Sequence, residues 1–171
     1  MATAAATLPK TKGGAFLIEE RTPDEIFTPE DLTAEHRDIA RTADEFWRKE
    51  VEPNLEDILQ HKPGVAVSIL RKAAEIGLTG IMIPEKFGGM EMDLVSAMVV
   101  AEQISRDGSY SGWHGAHTGI GTLPILYFGT EEQKQRYLPR LAKAELIAAY
   151  ALTEPHAGSD ALAAKTRAGS T

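Results

Sequence analysis

The 171-residue chain contains no cysteine. Disulfides, thiolate nucleophiles and cysteine-based zinc or iron–sulfur sites are therefore excluded. Basic residues are scarce: 18 Lys and Arg stand against 25 Asp and Glu, a formal charge of −7. No stripe of Lys and Arg exists to neutralise phosphates, so nucleic acid is not expected as a partner. The N-terminus lacks the long apolar run of a secretory signal, and its first arginine is Arg21. A secretory signal and a mitochondrial transit peptide are both disfavoured, and a cytoplasmic location is expected. Residues 1–14 read as a frayed tail of small residues.

What is present is an ordinary globular balance, 43% hydrophobic and 25% charged. That excludes wholesale disorder, and the length suffices for a buried core. Residues 15–28 show no helical period, and Pro23 and Pro29 bracket a segment expected to run over the surface. Thr33 then reads as an N-cap. It is followed by an apolar stripe at Ile39, Ala43, Phe46 and Trp47, which Pro53 should kink or end. A second helix is expected from Pro63 to Ile76, with Gly77 closing it. Gly88 and Gly89 mark a loop in which the backbone takes φ > 0 or packs close to something. Asp93 should cap a third helix running to about Arg106 and ended by Asp107 and Gly108.

Residues 109–130 carry no charge over 22 positions. The length suits a membrane span, but glycines, histidines and hydroxyls crowd its first half. It reads instead as a helix buried at the centre of a bundle. Thr130 and Gln133 form a capping box that opens a fifth helix containing Pro139. The expected class is therefore mainly α, a helical bundle. Residues 147–152 suit a buried strand. Residues 165–168 alternate in a way that suits the start of another, the opening of a sheet without partner strands in this sequence.

Residues 150–160 (YALTEPHAGSD) carry the chemistry. Apolar side chains and Tyr150 lead to the Thr153 hydroxyl, then to a loop with Pro155, Gly158 and Ser159. Small residues let backbone amides approach an anion, and hydroxyls bond ring heteroatoms or phosphate oxygens. Two readings stand on residue types: a clamp for a flat, phosphate-bearing cofactor, or a simple turn capped by Ser159 and Asp160. His114 and His117 lie at i, i+3, a spacing compatible with metal ligation. No HExxH motif or paired carboxylate accompanies them, so they read as packed histidines and no metal is expected.

The segment at 150–160 resembles the signature of the acyl-CoA dehydrogenases. IMIPEKFGGM at 81–90 is similar to that family's Pro-Glu-Glu-Tyr-Gly-Gly loop. FGTEEQK at 128–134, with YLP at 137–139, is similar to a third family stretch. The entry segments at 14–19 and 27–30 resemble the longer bacterial and very-long-chain branch.

The resemblance implies an entry segment over 1–28, an all-α N-terminal domain over 29–146, and the start of a β-domain over 147–171. It implies FAD as cofactor, with Tyr150, Leu152 and Thr153 lining the flavin ring. Gly158 and Ser159 would meet the pyrophosphate, and Ser159 would also contact acyl-CoA. The implied reaction is α,β-desaturation of a fatty acyl-CoA to the trans-2-enoyl-CoA. An electron-transferring flavoprotein would take the electrons, and the intact enzyme would be a homo-oligomer. In the family the helix bearing His114 and His117 flanks the acyl-chain cavity, and Gly115, Gly119 and Gly121 would leave room for the chain. The family's catalytic carboxylate has no counterpart here, so no catalytic residue is assigned and the chain alone is expected to be inactive. Glu154 and Asp160 are expected to be structural, and His156 to be an exposed loop histidine. The alternatives are a related acyl-CoA oxidase or flavin monooxygenase, and a non-catalytic helical module from a truncated or split gene.

Overall fold

The computed structural model describes residues 10–11, 13–167 and 169. They fall into two compact units, Met1–Asp38 and Ile39–Thr171.

Ahead of Ala34 the first unit holds no α-helix among the described residues. It is a string of single 3₁₀ turns at Ala15–Leu17, Pro23–Glu25 and Pro29–Asp31. Each proline opens a turn, where its missing N–H costs nothing. In these two proline-led turns the closing acid reaches back. Glu25 accepts from the Thr22 N–H and hydroxyl, both at 2.9 Å. Asp31 accepts from the Thr28 N–H at 2.9 Å and pairs with Lys10 at 2.9 Å. The Thr11 N–H donates to the Glu25 carbonyl at 2.7 Å. Lys10 and Thr11 are thus held, although a frayed tail was expected up to residue 14. Residues 1–9 and 12 lie outside the described residues.

The second unit is mainly α. Helix α1 (Ala34–Phe46) leads into it, with Ile39, Ala43, Phe46 and Trp47 all buried as the stripe predicted. Pro53 has its expected effect, though not as a simple kink. The chain widens into a π turn at Trp47–Val51, tightens to 3₁₀ at Glu52–Asn54, and resumes as α2 (Leu55–Leu59). A proline ring collides with the carbonyl four residues back, and changing the helical pitch on either side removes the conflict. Helix α3 (Val65–Glu75) starts two residues after Pro63 because Gly64 is left-handed, φ +81°. Gly77 closes that region at φ +82°.

Helix α4 (Leu94–Ile104) is capped by Asp93, whose carboxylate accepts from the Ser96 N–H at 2.8 Å. Asp107 does not end α4. It caps α5 (Gly108–Gly115), accepting from the Ser109 N–H at 2.8 Å. The uncharged segment continues through a π turn (Ala116–Gly121) into α6 (Leu123–Phe128). The capping box at Thr130 and Gln133 then opens α7 (Glu131–Ala142).

Helix α5 packs against α2, α3 and α4. Its Tyr110 ring lies 6.3 Å from Phe46, and Ile69, Leu70, Leu78 and Ile104 are fully buried in the same unit. Each such side chain contributes roughly 1.5–3 kcal/mol by leaving water. A second cluster joins Ile83, Phe87, Leu138, Leu141 and Ala142, with Ala148 packed on it. The uncharged segment is not wholly enclosed as expected. Tyr110, His114, His117 and Thr122 are buried, while Trp113, Ile120, Tyr127 and Phe128 lie on the open side. A helix presents all its faces, and the neighbouring helices cover only part of this one. Among the described residues no helix is long and apolar enough to cross a membrane.

The two loop glycines divide the two roles expected of them. Gly88 takes φ +80° after the 3₁₀ turn Glu85–Phe87. At Gly89 a Cβ would overlap the Ile83 carbonyl oxygen, so bare backbone must pass there. Gly89→Ala should therefore cost roughly 2–4 kcal/mol and Gly88→Ala about 1 kcal/mol. Urea unfolding of the two variants measures the ranking; equal midpoints would contradict this account of the loop.

Candidate functional site

The site begins where the bundle ends. After α7 the chain runs without helix or strand through residues 147–153 and finds no partner strand among the described residues. The buried strand expected over 147–152 is thus an open, unpaired segment, with Ile147, Tyr150 and Leu152 exposed. An extended segment is enclosed in a sheet only when a neighbour takes up its backbone donors and acceptors.

A tight turn follows. The Glu154 N–H donates to the Ala157 carbonyl at 2.9 Å, and the Ala157 N–H returns to the Glu154 carbonyl at 3.1 Å. Pro155 and His156 form its tip, and both are exposed. The Glu154 carboxylate accepts from the N–H groups of Lys165 and Thr166, at 2.8 and 2.9 Å. Those bonds, the one from Lys165 first, hold its pKa below the usual carboxylate range. Glu154 is therefore structural, as expected: it ties the returning chain to the turn. Asp160 caps only through its backbone, its carbonyl accepting from the Ala163 N–H at 3.1 Å. Its side chain makes no cap bond to the turn Ala161–Ala163.

The five residues singled out in the sequence lie along one continuous stretch. Tyr150, Leu152, Thr153, Gly158 and Ser159 are all exposed. The hydroxyls of Thr153 and Ser159 have no hydrogen-bond partner among the described residues. The same holds for the N–H groups of Gly158, Ser159 and Asp160. A Cβ on Gly158 would meet nothing within 4 Å, so packing within this chain does not require glycine there. The stretch offers an apolar ledge, two free hydroxyls and three adjacent free amides. That donor set fits a flat ring carrying a phosphate.

Behind the stretch stand the two histidines. His114 bonds the Leu78 carbonyl through Nε2 at 3.2 Å. His117 bonds the Leu141 carbonyl through Nε2 at 3.0 Å, and its Nδ1 accepts from the Ala148 N–H at 3.0 Å. These contacts fit the packed-histidine reading. The bond from the Ala148 N–H to His117 has no signal in the sequence, where only the i, i+3 spacing marks the pair. Among the described residues no group of three or more His, Asp or Glu could hold a metal. Of the glycines expected to leave room for an acyl chain, Gly115 and Gly119 are open. Gly121 is not, because a Cβ there would come within 2.5 Å of the Ala148 Cβ. A cleft of about 350 Å³ does open beside Gly112, Trp113 and Ala116, walled by residues 147–149.

The fold and the loop together define a class: an all-α domain that ends in an exposed, donor-rich loop. Comparison with known proteins gives the family. The profile of the acyl-CoA dehydrogenase N-terminal domain matches residues 33–145. A Bacillus subtilis protein named "Probable acyl-CoA dehydrogenase" is 53% identical over 157 residues, covering 92% of this chain and 26% of the relative. An acryloyl-CoA reductase (NADH) of Anaerotignum propionicum is 39% identical, covering 80% of this chain and 34% of that protein. The crystal structure of a Bacillus anthracis acyl-CoA dehydrogenase complexed with FAD superposes with a TM-score of 0.86. It is 53% identical, over 91% of this chain and 26% of that one. The chain belongs to the acyl-CoA dehydrogenase family. It spans between about a quarter and about a third of the length of the relatives it matches.

Burial keeps both histidines neutral. It pushes the His114 pKa down to about 4, against a smaller opposing effect of the Leu78 carbonyl, and it lowers that of His117 as well. An unfolded histidine titrates near 6.5. Between pH 6.5 and about 4 the unfolded chain therefore binds protons that the folded chain refuses. Stability is fully present above pH 6.5 and falls as the pH drops, by an amount on the order of 3 kcal/mol for His114. Urea midpoints should decline from pH 6.5 to pH 5, before the carboxylates titrate. His114→Asn should flatten that slope, and an unchanged slope would contradict the buried-imidazole account.

Proposed function

We propose that the chain is the N-terminal part of an FAD-dependent acyl-CoA dehydrogenase that desaturates a fatty acyl-CoA to the trans-2-enoyl-CoA. The observation that carries this reading is the exposed donor stretch at 150–160 at the end of the family's helical domain. In this reading residues 1–28 are an entry segment, 29–146 the helical domain and 147–171 the opening of a β-domain. The location is cytoplasmic, the electron acceptor an electron-transferring flavoprotein, and the assembled enzyme a homo-oligomer.

Tyr150 and Leu152 present apolar surface to the flavin ring and exclude water from it. Thr153 donates its hydroxyl to the pyrimidine edge, where negative charge gathers on reduction. The amides and small side chains of Gly158 and Ser159 receive the pyrophosphate, and the Ser159 hydroxyl also reaches the acyl-CoA. When bound, the flavin accepts the substrate's β-hydride. The α-proton goes to a carboxylate outside these 171 residues, so the chain alone orients and binds but does not turn over. The acyl chain lies in the cleft beside Gly112 and Ala116.

Complementation tests this reading. The chain alone should retain little FAD and show no dye reduction with acyl-CoA. Co-expression with the remaining C-terminal part of the Bacillus subtilis relative should restore both. Thr153→Ala should then weaken FAD binding or flavin reduction about tenfold or more, the scale of a lost hydrogen bond to a charged group. Stoichiometric flavin on the chain alone would refute the division of labour. A complemented assembly without flavin would refute the function.

A further inference from the structure

The sharpest unused feature of the second unit is the way His117 joins three elements. It sits in the π turn Ala116–Gly121, between α5 and α6. It is fully buried. Its Nδ1 accepts the Ala148 N–H at 3.0 Å, so the remaining ring proton is on Nε2, which donates to the Leu141 carbonyl at 3.0 Å. Leu141 belongs to the last turn of α7, and Ala148 lies two residues before Tyr150 and five before Thr153. The His117 carbonyl is itself fixed, accepting the Thr122 hydroxyl at 2.6 Å. Four residues on, Gly121 lets the helix approach so closely that a Cβ would stand 2.5 Å from the Ala148 Cβ and 2.8 Å from the Ala116 carbonyl oxygen.

We infer that His117 is a positioning residue for the donor stretch at 150–160: its neutral imidazole fixes where the segment leaves the bundle. The inference rests on the reading of that stretch as the cofactor loop. Residues 147–153 have no partner strand among the described residues, so a cross-link at Ala148 acts where the segment lacks a ladder. A π turn is the local device that makes the bond possible. The extra residue shifts the helical register and points His117 into the space between α7 and the segment, and such turns recur at functional sites. The imidazole serves as donor and acceptor at once, holding the end of α7 and the start of the segment in one geometry. Within the sequence the residue is visible only as a histidine in an uncharged helix.

Two substitutions separate the two bonds. His117→Asn places an amide oxygen near the Nδ1 position and keeps the acceptor for Ala148 while losing the reach to Leu141. His117→Gln keeps a donor for Leu141 and loses the acceptor for Ala148. Amide hydrogen exchange on the full chain reads the effect, with Ala148, Ala157, Lys165 and Thr166 compared with Ile69 and Leu70 in the core. Exchange of the four loop amides relative to the core should rise about tenfold in His117→Gln and stay within about threefold of the parent in His117→Asn. Equal rises in both variants, or no rise in either, would overturn the inference. The same two variants in the complemented assembly add the functional readout: FAD affinity should fall in His117→Gln and be kept in His117→Asn. If exchange separates the variants but the parent assembly binds no flavin, the cofactor reading fails and the positioning role stands. If the assembly binds flavin equally well with either variant, the positioning role fails and the cofactor reading stands.

Discussion

The second unit depends on one constraint: a helix without charges, but rich in polar atoms, is half sunk into its core. Each buried polar group must find its partner inside the protein. His114 takes the Leu78 carbonyl, His117 takes the Leu141 carbonyl and the Ala148 N–H, and Thr118 and Thr122 return to the carbonyls of His114 and His117. Each partner on another element becomes a cross-link. Apolar packing alone would let those elements slide, whereas these bonds fix their relative positions. Tyr110 differs: its buried hydroxyl has no partner among the described residues, and burial raises its pKa.

The site inherits its geometry from that constraint. Residues 150–160 are exposed apart from Glu154 and Ala157, and the chain is tied down on either side of its donors. At one end His117 and the close approach at Gly121 anchor Ala148. At the other the Glu154 carboxylate gathers Lys165 and Thr166. Between the anchors the donors of Thr153, Gly158 and Ser159 face outward. A loop built this way is held in place without being consumed by its own hydrogen bonds.

Much of this was legible from residues. The caps at Asp93 and Thr130, the stripe of α1, the left-handed Gly77 and the paired roles of Gly88 and Gly89 all follow local rules. So does the mainly α class. The departures have a common cause in longer-range packing. Pro53 acts through a change of pitch on either side of it rather than a simple kink, and Asp107 caps the following helix rather than closing the preceding one. The uncharged segment was placed at the centre, but periodicity cannot say how many of its faces are covered. Residues 147–152 read as a strand, but strand partners are not a local property. The link from His117 to Ala148 crosses 31 positions. It depends on a π turn that composition does not announce.

The most direct test of this picture is the side-chain nitrogen spectrum of His117 at neutral pH. A neutral ring protonated on Nε2, with Nδ1 showing the signature of an acceptor coupled to the Ala148 amide, is the predicted result. A ring protonated on Nδ1, or an imidazolium, would contradict it. Nδ1 would then have no lone pair for Ala148, and the anchor of the donor loop would not exist.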